Sequence, residues 1–203
     1  MKKNLKEMDV VFLLDRSGSM SGSESDTIGG YNSFLEKQRK NKYKTYITTI
    51  LFDDRYEVLH DRVDAKDVKD ITSDDYYVRG CTALYDAIGK TINNIEKKAK
   101  NVIFVITTDG LENASREYTK ETVKNLIEKH DNWEFMYIGA DIDSYAGGAS
   151  IGIRKENIAN YKKDKKGTSL LFESVNDFQE CLYKGESTSM WKQKLDTYLE
   201  ENE

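Results

Sequence analysis

In the run Asp15-Arg16-Ser17-Gly18-Ser19-Met20, a carboxylate and two hydroxyls stand at alternate positions directly after the apolar stretch Val10 to Leu14. Gly18 lets the backbone turn tightly, so Asp15, Ser17 and Ser19 can converge on one point instead of alternating outward. A pattern this short also arises by chance, and its structural reading is a serine-rich turn capping the next helix. Two further loops bear on the choice. Thr82 lies in Gly80-Cys81-Thr82, which opens a strong helical pattern, and Asp109 lies in Thr108-Asp109-Gly110, which closes a strong strand pattern. Asp15, Ser17, Ser19, Thr82 and Asp109 offer only hard oxygen donors, which suit Mg²⁺ or Mn²⁺ better than zinc. With so few carboxylates, calcium is less favoured.

These loops need a scaffold that brings them together. Apolar runs rich in Val, Ile, Phe and Tyr at Asp9 to Leu14, Tyr46 to Phe52, Val102 to Thr107 and Glu134 to Ile138 predict strands, those without alternation being covered on both faces. Between and after them run helical stripes: Ile28, Tyr31, Phe34 and Leu35; Leu84, Ala87, Ile88, Thr91, Ile92, Ile95 and Ala99; Val123, Leu126, Ile127 and His130; and Leu171, Val175, Phe178 and Leu182. A last short stripe, Trp191, Leu195, Tyr198 and Leu199, is expected to dock within the chain. Strands alternating with helices predict an α/β fold, a three-layer, Rossmann-like, doubly wound and mostly parallel sheet flanked by helices. Arg55 to His60, after the turn-like Asp53-Asp54, predicts one antiparallel edge strand. All three oxygen-bearing loops would then emerge at the carboxyl edge, near the switch point where open α/β sheets bind ligands. No repeat or Gly/Ser linker divides the chain. It reads as a single domain over 1–203, with a core over about 8–185 and a C-terminal helix over about 189–200. Tyr161 to Gly167 is the most linker-like stretch.

Composition narrows the partners. Thirteen Tyr and seven Phe are too many for a disordered chain, and 31 basic against 36 acidic residues leave a net charge of -5, which makes nucleic acid an unexpected partner. The basic stretches Lys37 to Lys44 and Lys162 to Lys166 read as solvated helix ends and loops. No apolar run approaches membrane-spanning length, and Val10 to Leu14 is too short for a secretory core, so a cytoplasmic protein is expected. Cys81 and Cys181 lack a CxxC spacing, which argues against zinc or a bridge, and Cys81 reads as a small buried thiol more readily than as an oxidation sensor.

The segments VVFLLDRSGSM, GCTALYDAIG and VIFVITTDGLENAS together resemble von Willebrand factor type A (VWA) domains of the stand-alone bacterial kind. The resemblance is firm over about residues 8 to 140, and WEFMYIGADIDSYAGGASIGI resembles the fifth strand and following helix of bacterial members. It implies a central, mostly parallel sheet and a metal-ion-dependent adhesion site (MIDAS) mapped onto Asp15, Ser17, Ser19, Thr82 and Asp109. In the family pattern, Asp15 acts largely through bound water while Thr82 and Asp109 exchange direct contact with the ion. Cys81 stands where many relatives carry glycine. The implied function is a monomeric, non-enzymatic interaction module whose Mg²⁺ or Mn²⁺ grips the Asp or Glu carboxylate of a protein partner.

Two alternatives stay open: a Mg²⁺-dependent phosphoryl- or glycosyl-transfer enzyme, and a metal site occupied only structurally. The enzyme lacks an evident base, because His60 and His130, the two histidines, both read as structural or exposed. Asp141-Ile142-Asp143 is a bare DxD, and Asp53-Asp54 could act likewise, although capping of a helix near Ser144 accounts for Asp143. Glu112 and Asn113 could orient metal-bound waters but read first as solvated loop positions. The pair Tyr76-Tyr77 could line a partner surface or be partly buried.

Overall fold

The computed structural model describes Leu5, residues 7–140 and residues 143–202. Five long apolar or alternating runs and one short one become strands: β1 (Glu7–Asp15), β2 (Lys44–Phe52), β3 (Tyr56–Asp64), β4 (Val102–Thr108), β5 (Glu134–Gly139) and β6 (Ile158–Asn160). Among the described residues they form one sheet in the order β3-β2-β1-β4-β5-β6. Every neighbouring pair is parallel except β2 with β3, which is antiparallel and carries two register shifts. The expected edge strand is therefore present and runs past His60 to Asp64. Three-residue β6 escaped the sequence reading because so short a run has no detectable period.

The chain leaves β1 toward β2 and β3, then crosses back to pair β4 with the free side of β1. That reversal puts the switch point between β1 and β4, and their following loops side by side. Burial explains why β1 shows no alternation. Val10, Phe12 and Leu14 join the cluster built by α1 (Glu24–Lys40) and α5 (Lys165–Lys184), through Tyr31, Phe34, Leu35, Phe172, Val175 and Phe178. Val11 and Leu13 face α2 (Leu84–Ile95) and α3 (Lys120–Lys129), through Leu84, Ile88, Ile92, Val123 and Ile127. Each fully buried large apolar side chain contributes about 1.5–3 kcal/mol, so the sheet is anchored from both faces.

The remaining helices are α4 (Ser144–Ser150) and α6 (Gln193–Glu200). Trp191 and Leu195 dock into the α1/α5 cluster, and the Trp191 indole donates to the Glu156 carbonyl at 2.8 Å, so this stripe packs within the chain. The stretch 161–167 is no linker: Tyr161 N–H ties it to the end of β5 at the Gly139 carbonyl (2.9 Å), and the Asp164 carboxylate caps the start of α5 on Gly167 N–H (2.8 Å). Among the described residues no helix is long and apolar enough to cross a membrane.

Candidate metal centre

The first loop is pinned by a side chain that points away from the oxygen donors. Arg16 is fully buried, with Nε donating to Asp53 Oδ2 at 2.9 Å and Nη2 to Glu57 Oε2 at 2.7 Å, and Arg79 Nε reaches the same Asp53 oxygen at 2.7 Å. Burial alone would raise the Asp53 carboxyl, but the Arg79 hydrogen bond and both guanidinium charges hold it below its ordinary value. Asp53 is thereby committed to structure. Backbone bonds tie this loop to its neighbours: Arg16 N–H to the Phe52 carbonyl (2.8 Å), Gly18 N–H to the Gly80 carbonyl (3.0 Å) and Arg79 N–H to the Arg16 carbonyl (2.9 Å). Gly80 has φ +69°, a conformation that side-chain-bearing residues rarely adopt, so glycine supports this turn.

The second and third loops are joined through Thr82. Its N–H donates to Asn113 Oδ1 at 2.9 Å, and its carbonyl accepts from the N–H of Asn113 (3.0 Å) and Ala114 (3.2 Å). Helix α2 has no side-chain cap of its own at Ala83. Glu112 Oε2 instead accepts from Tyr85 N–H at 2.9 Å, and Ser115 Oγ accepts from Asp86 N–H at 3.0 Å. Asp86 in turn accepts from the N–H groups of Arg116, Glu117 and Tyr118 at 2.8–3.0 Å. Half-buried Glu112 and exposed Asn113, the latter solvated as expected, are thus also framework for the Thr82 turn. The signal was present in their types, since a short polar acceptor and a carboxylate close behind a strand can serve a neighbouring helix N-terminus.

The five candidate ligands meet on this frame. Ser17 Oγ and Ser19 Oγ lie 3.2 Å apart, and Ser19 Oγ donates to Asp109 Oδ1 at 2.5 Å. Gly110 has a bare Cα beside them: a Cβ there would stand 3.0 Å from Thr82 Oγ1, 3.2 Å from Ser19 Oγ and 3.8 Å from Ser17 Oγ. Three hydroxyls from two loops therefore surround one small space next to Asp109. Asp15 sits one layer deeper. Its Oδ1 accepts from Ser17 N–H at 2.7 Å and its Oδ2 from Thr108 Oγ1 at 2.5 Å, while Tyr76 OH donates to its carbonyl at 2.5 Å. Burial pushes the Asp15 carboxyl up to about 6, resisted by the Thr108 and Ser17 hydrogen bonds and aided slightly by the charge of Asp109. Asp15, Ser17, Thr82 and Asp109 are buried, whereas Ser19 is exposed, so the cluster opens to solvent on the Ser19 side.

Two carboxylates and three hydroxyls at a sheet's carboxyl edge fit a small hard cation. Among the described residues no three His, Cys, Asp or Glu side chains cluster as a metal site, which is what a hydroxyl-dominated donor set produces. A positive charge already stands here. Lys163 Nζ, from the turn after β6, donates to Asp109 Oδ2 at 2.6 Å and also to the Ser19 carbonyl. Neither Lys163 nor Thr108 was singled out by sequence. Thr108 has only its adjacency to Asp109, and Lys163 lies 54 residues away from that aspartate.

The other candidates disperse. His130 is buried against Trp133, with Nδ1 on the Leu126 carbonyl at 2.8 Å, and His60 faces Thr49 Oγ1 at 3.0 Å in mid-strand. Asp143 caps α4 by accepting from Ala146 N–H at 2.9 Å, and Asp141 lies outside the described residues. The tyrosine pair divides, Tyr76 being buried beneath Asp15 and Tyr77 exposed. Cys81 corrects an expectation: it is exposed, because in the turn following Gly80 it is Thr82 that faces inward.

A doubly wound sheet with this cluster at its switch point has the architecture of a VWA domain. The family model for VWA domain containing CoxE-like protein matches residues 1–131, and the chain belongs to that family. No curated protein matches it in sequence. Among solved structures, proximal thread matrix protein 1 from the mussel byssus is similar at 19% identity with a TM-score of 0.60, covering 83% of this chain and 44% of that one. That mussel protein has also been solved with a zinc-occupied MIDAS motif, matched at a TM-score of 0.57. The pilus adhesin SpaC from Lactobacillus rhamnosus GG, in its open conformation, matches at 13% identity and a TM-score of 0.68, covering 92% of this chain and 31% of that one. The ArnB paralog VWA2 from Sulfolobus acidocaldarius matches at 18% identity and 0.58, covering 85% and 45%. This chain spans less than half the length of each, and identities this low establish a common fold.

Proposed function

We propose that the chain is a metal-dependent protein-interaction module, in which Asp15, Ser17, Ser19, Thr82 and Asp109 hold Mg²⁺ or Mn²⁺ and the ion binds an Asp or Glu carboxylate of a protein partner. The observation that carries this reading is the ring of Ser17, Ser19 and Thr82 hydroxyls beside Asp109, opening to solvent at Ser19. When bound, the ion supplies positive charge that three neutral hydroxyls leave incompletely cancelled, to which a carboxylate can add. The protein's part is positional. Asn113 fixes the Thr82 turn, Thr108 and Ser17 N–H fix Asp15, and Arg16 anchors the first loop. The mussel relative holds zinc in its motif, whereas the all-oxygen set here favours a harder ion. A transfer enzyme finds less support, since Asp53 is spent on Arg16 and Arg79 and neither histidine adjoins the cluster's described partners.

Calorimetric titration of Mn²⁺ into the parent, Ser17→Ala and Asp109→Ala, repeated with a Glu-bearing peptide in the presence and absence of chelator, tests the proposal. Saturable binding weakened in both variants, and peptide binding abolished by chelator, is the expected result. Mn²⁺ binding unchanged in both variants would move the ion elsewhere, and chelator-insensitive peptide binding would remove the carboxylate mechanism. Phosphoester turnover by the Mg²⁺-loaded parent would favour the enzyme.

A further inference from the structure

We propose that Lys163 is a tethered competitor for the divalent cation: its ammonium pairs with Asp109 in the metal-free site and must leave that carboxylate before the ion can bind. This rests on the metal reading above and concerns how strongly the chain itself opposes that ion.

The ammonium already does what a cation at this position has to do, because it bridges the first and third loops. Nζ donates to Asp109 Oδ2 at 2.6 Å and to the carbonyl of Ser19, while Asp109 Oδ1 accepts from Ser19 Oγ at 2.5 Å. Both oxygens of Asp109 are thereby engaged. The ion pair is shielded from water, with side-chain exposures of 19% for Lys163 and 1% for Asp109, so salt screens it less than an ordinary surface pair. An ion that takes Asp109 as ligand meets a unit positive charge on the same carboxylate, and repulsion at such a distance in a partly dry site is large.

The backbone that presents Lys163 is held in place. Tyr161 N–H donates to the Gly139 carbonyl at 2.9 Å, Asp164 N–H to the Lys162 carbonyl at 2.8 Å, and Tyr198 OH to Asp164 Oδ2 at 3.1 Å. Gly167 packs directly on this turn, and a Cβ there would lie 2.0 Å from the Lys162 carbonyl oxygen. The sequence thus builds a fixed mount with a flexible four-carbon arm, so the ammonium can depart by rotation of its own side chain without moving the turn.

The test compares the parent with Lys163→Met, Lys163→Gln and Lys163→Arg as full chains at one pH and low salt. Free Mn²⁺ is followed by electron paramagnetic resonance, and metal-free thermal unfolding is recorded in chelator. The uncharged variants are expected to bind Mn²⁺ about tenfold or more tightly than the parent, and to melt several degrees lower when metal-free, whereas Lys163→Arg keeps the weak parental affinity. Mn²⁺ bound by the parent and by Lys163→Met within twofold of each other overturns the role of Lys163 and leaves the metal site standing. An Arg variant that tightens as Met does overturns it too, by removing charge as the cause. Mn²⁺ bound by none of the proteins overturns the metal reading and this inference together.

Discussion

Thr108→Val isolates the hydrogen bond that orients Asp15. Valine keeps the β-branched shape that strand β4 accommodates and removes only the hydroxyl. Three contacts go with it: the 2.5 Å bond from Oγ1 to Asp15 Oδ2, a 3.1 Å bond to the Gly110 carbonyl and a 3.2 Å bond from Gly110 N–H. The first is charge-assisted and fully buried, and Asp15 is left with Ser17, through its N–H and its hydroxyl, as its hydrogen-bonding partner. A hydrogen bond to a charged group contributes about 1.5–3 kcal/mol. For a chain of 203 residues, with about 2–4 °C per kcal/mol, Tm should fall by about 3–12 °C. Thr107→Val on the same strand is the control, because Thr107 Oγ1 makes a neutral 3.2 Å bond to the Leu13 carbonyl, for which a loss of about 1 kcal/mol is expected. Circular dichroism melts of chelator-treated protein at neutral pH measure both. Mn²⁺ affinity should also drop by about 10–100-fold in Thr108→Val, the usual effect of losing a group that orients a ligand. Equal melting losses at the two threonines, or an unchanged Tm for Thr108→Val, would refute the assignment of Asp15 as a residue held by Thr108.

Asn113→Ala removes the acceptor for Thr82 N–H, and should weaken Mn²⁺ binding about tenfold while costing only about 1 kcal/mol of stability; Asn113→Asp, which keeps an acceptor, should restore binding in the same titration. Asp86→Asn probes the loop clamp through pH. Burial alone would raise the Asp86 carboxyl, but the N–H groups of Arg116, Tyr118 and Glu117 outweigh it and hold the group below its ordinary value. Its stabilisation is therefore complete above the unfolded pKa of about 3.9 and is lost as pH falls through the lower folded value. Melts of Asp86→Asn should show a lower Tm at pH 7 and a shallower decline below about pH 4; parallel acid limbs in parent and variant would contradict this.

Much of this architecture was legible because the strands are covered on both faces and the helices on one. Val10 to Leu14 reads as a buried strand, since its odd and even residues serve different helix pairs, and the stripe from Leu84 to Ile95 has a single apolar face to match. The candidate ligands were legible for a related reason: each directly ends or precedes a strongly patterned element, so the element's direction fixes the loop's edge. What escaped the sequence has no period of its own. Nothing in the spacing tells that Arg16 turns inward to Asp53, that Thr108 serves Asp15, or that Cys81 faces solvent while Thr82 faces in. Those outcomes are set by contacts between segments that local pattern does not relate.

Lys163 makes that limit concrete, because a lysine in a run of lysines beyond β6 reads as a solvated charge until the sheet order is known. With β6 at the edge and β5 between it and β4, the turn after β6 comes within a lysine's reach of the loop after β4. The buried carboxylates of a site like this need positive charge, since burial disfavours the anion and pushes Asp15 up to about 6. A chain that supplies one unit of that charge itself holds its loops assembled before any ion arrives, at a cost in ion affinity. The strength of this module's grip on a partner would then be set by Lys163 as well as by the five oxygen donors.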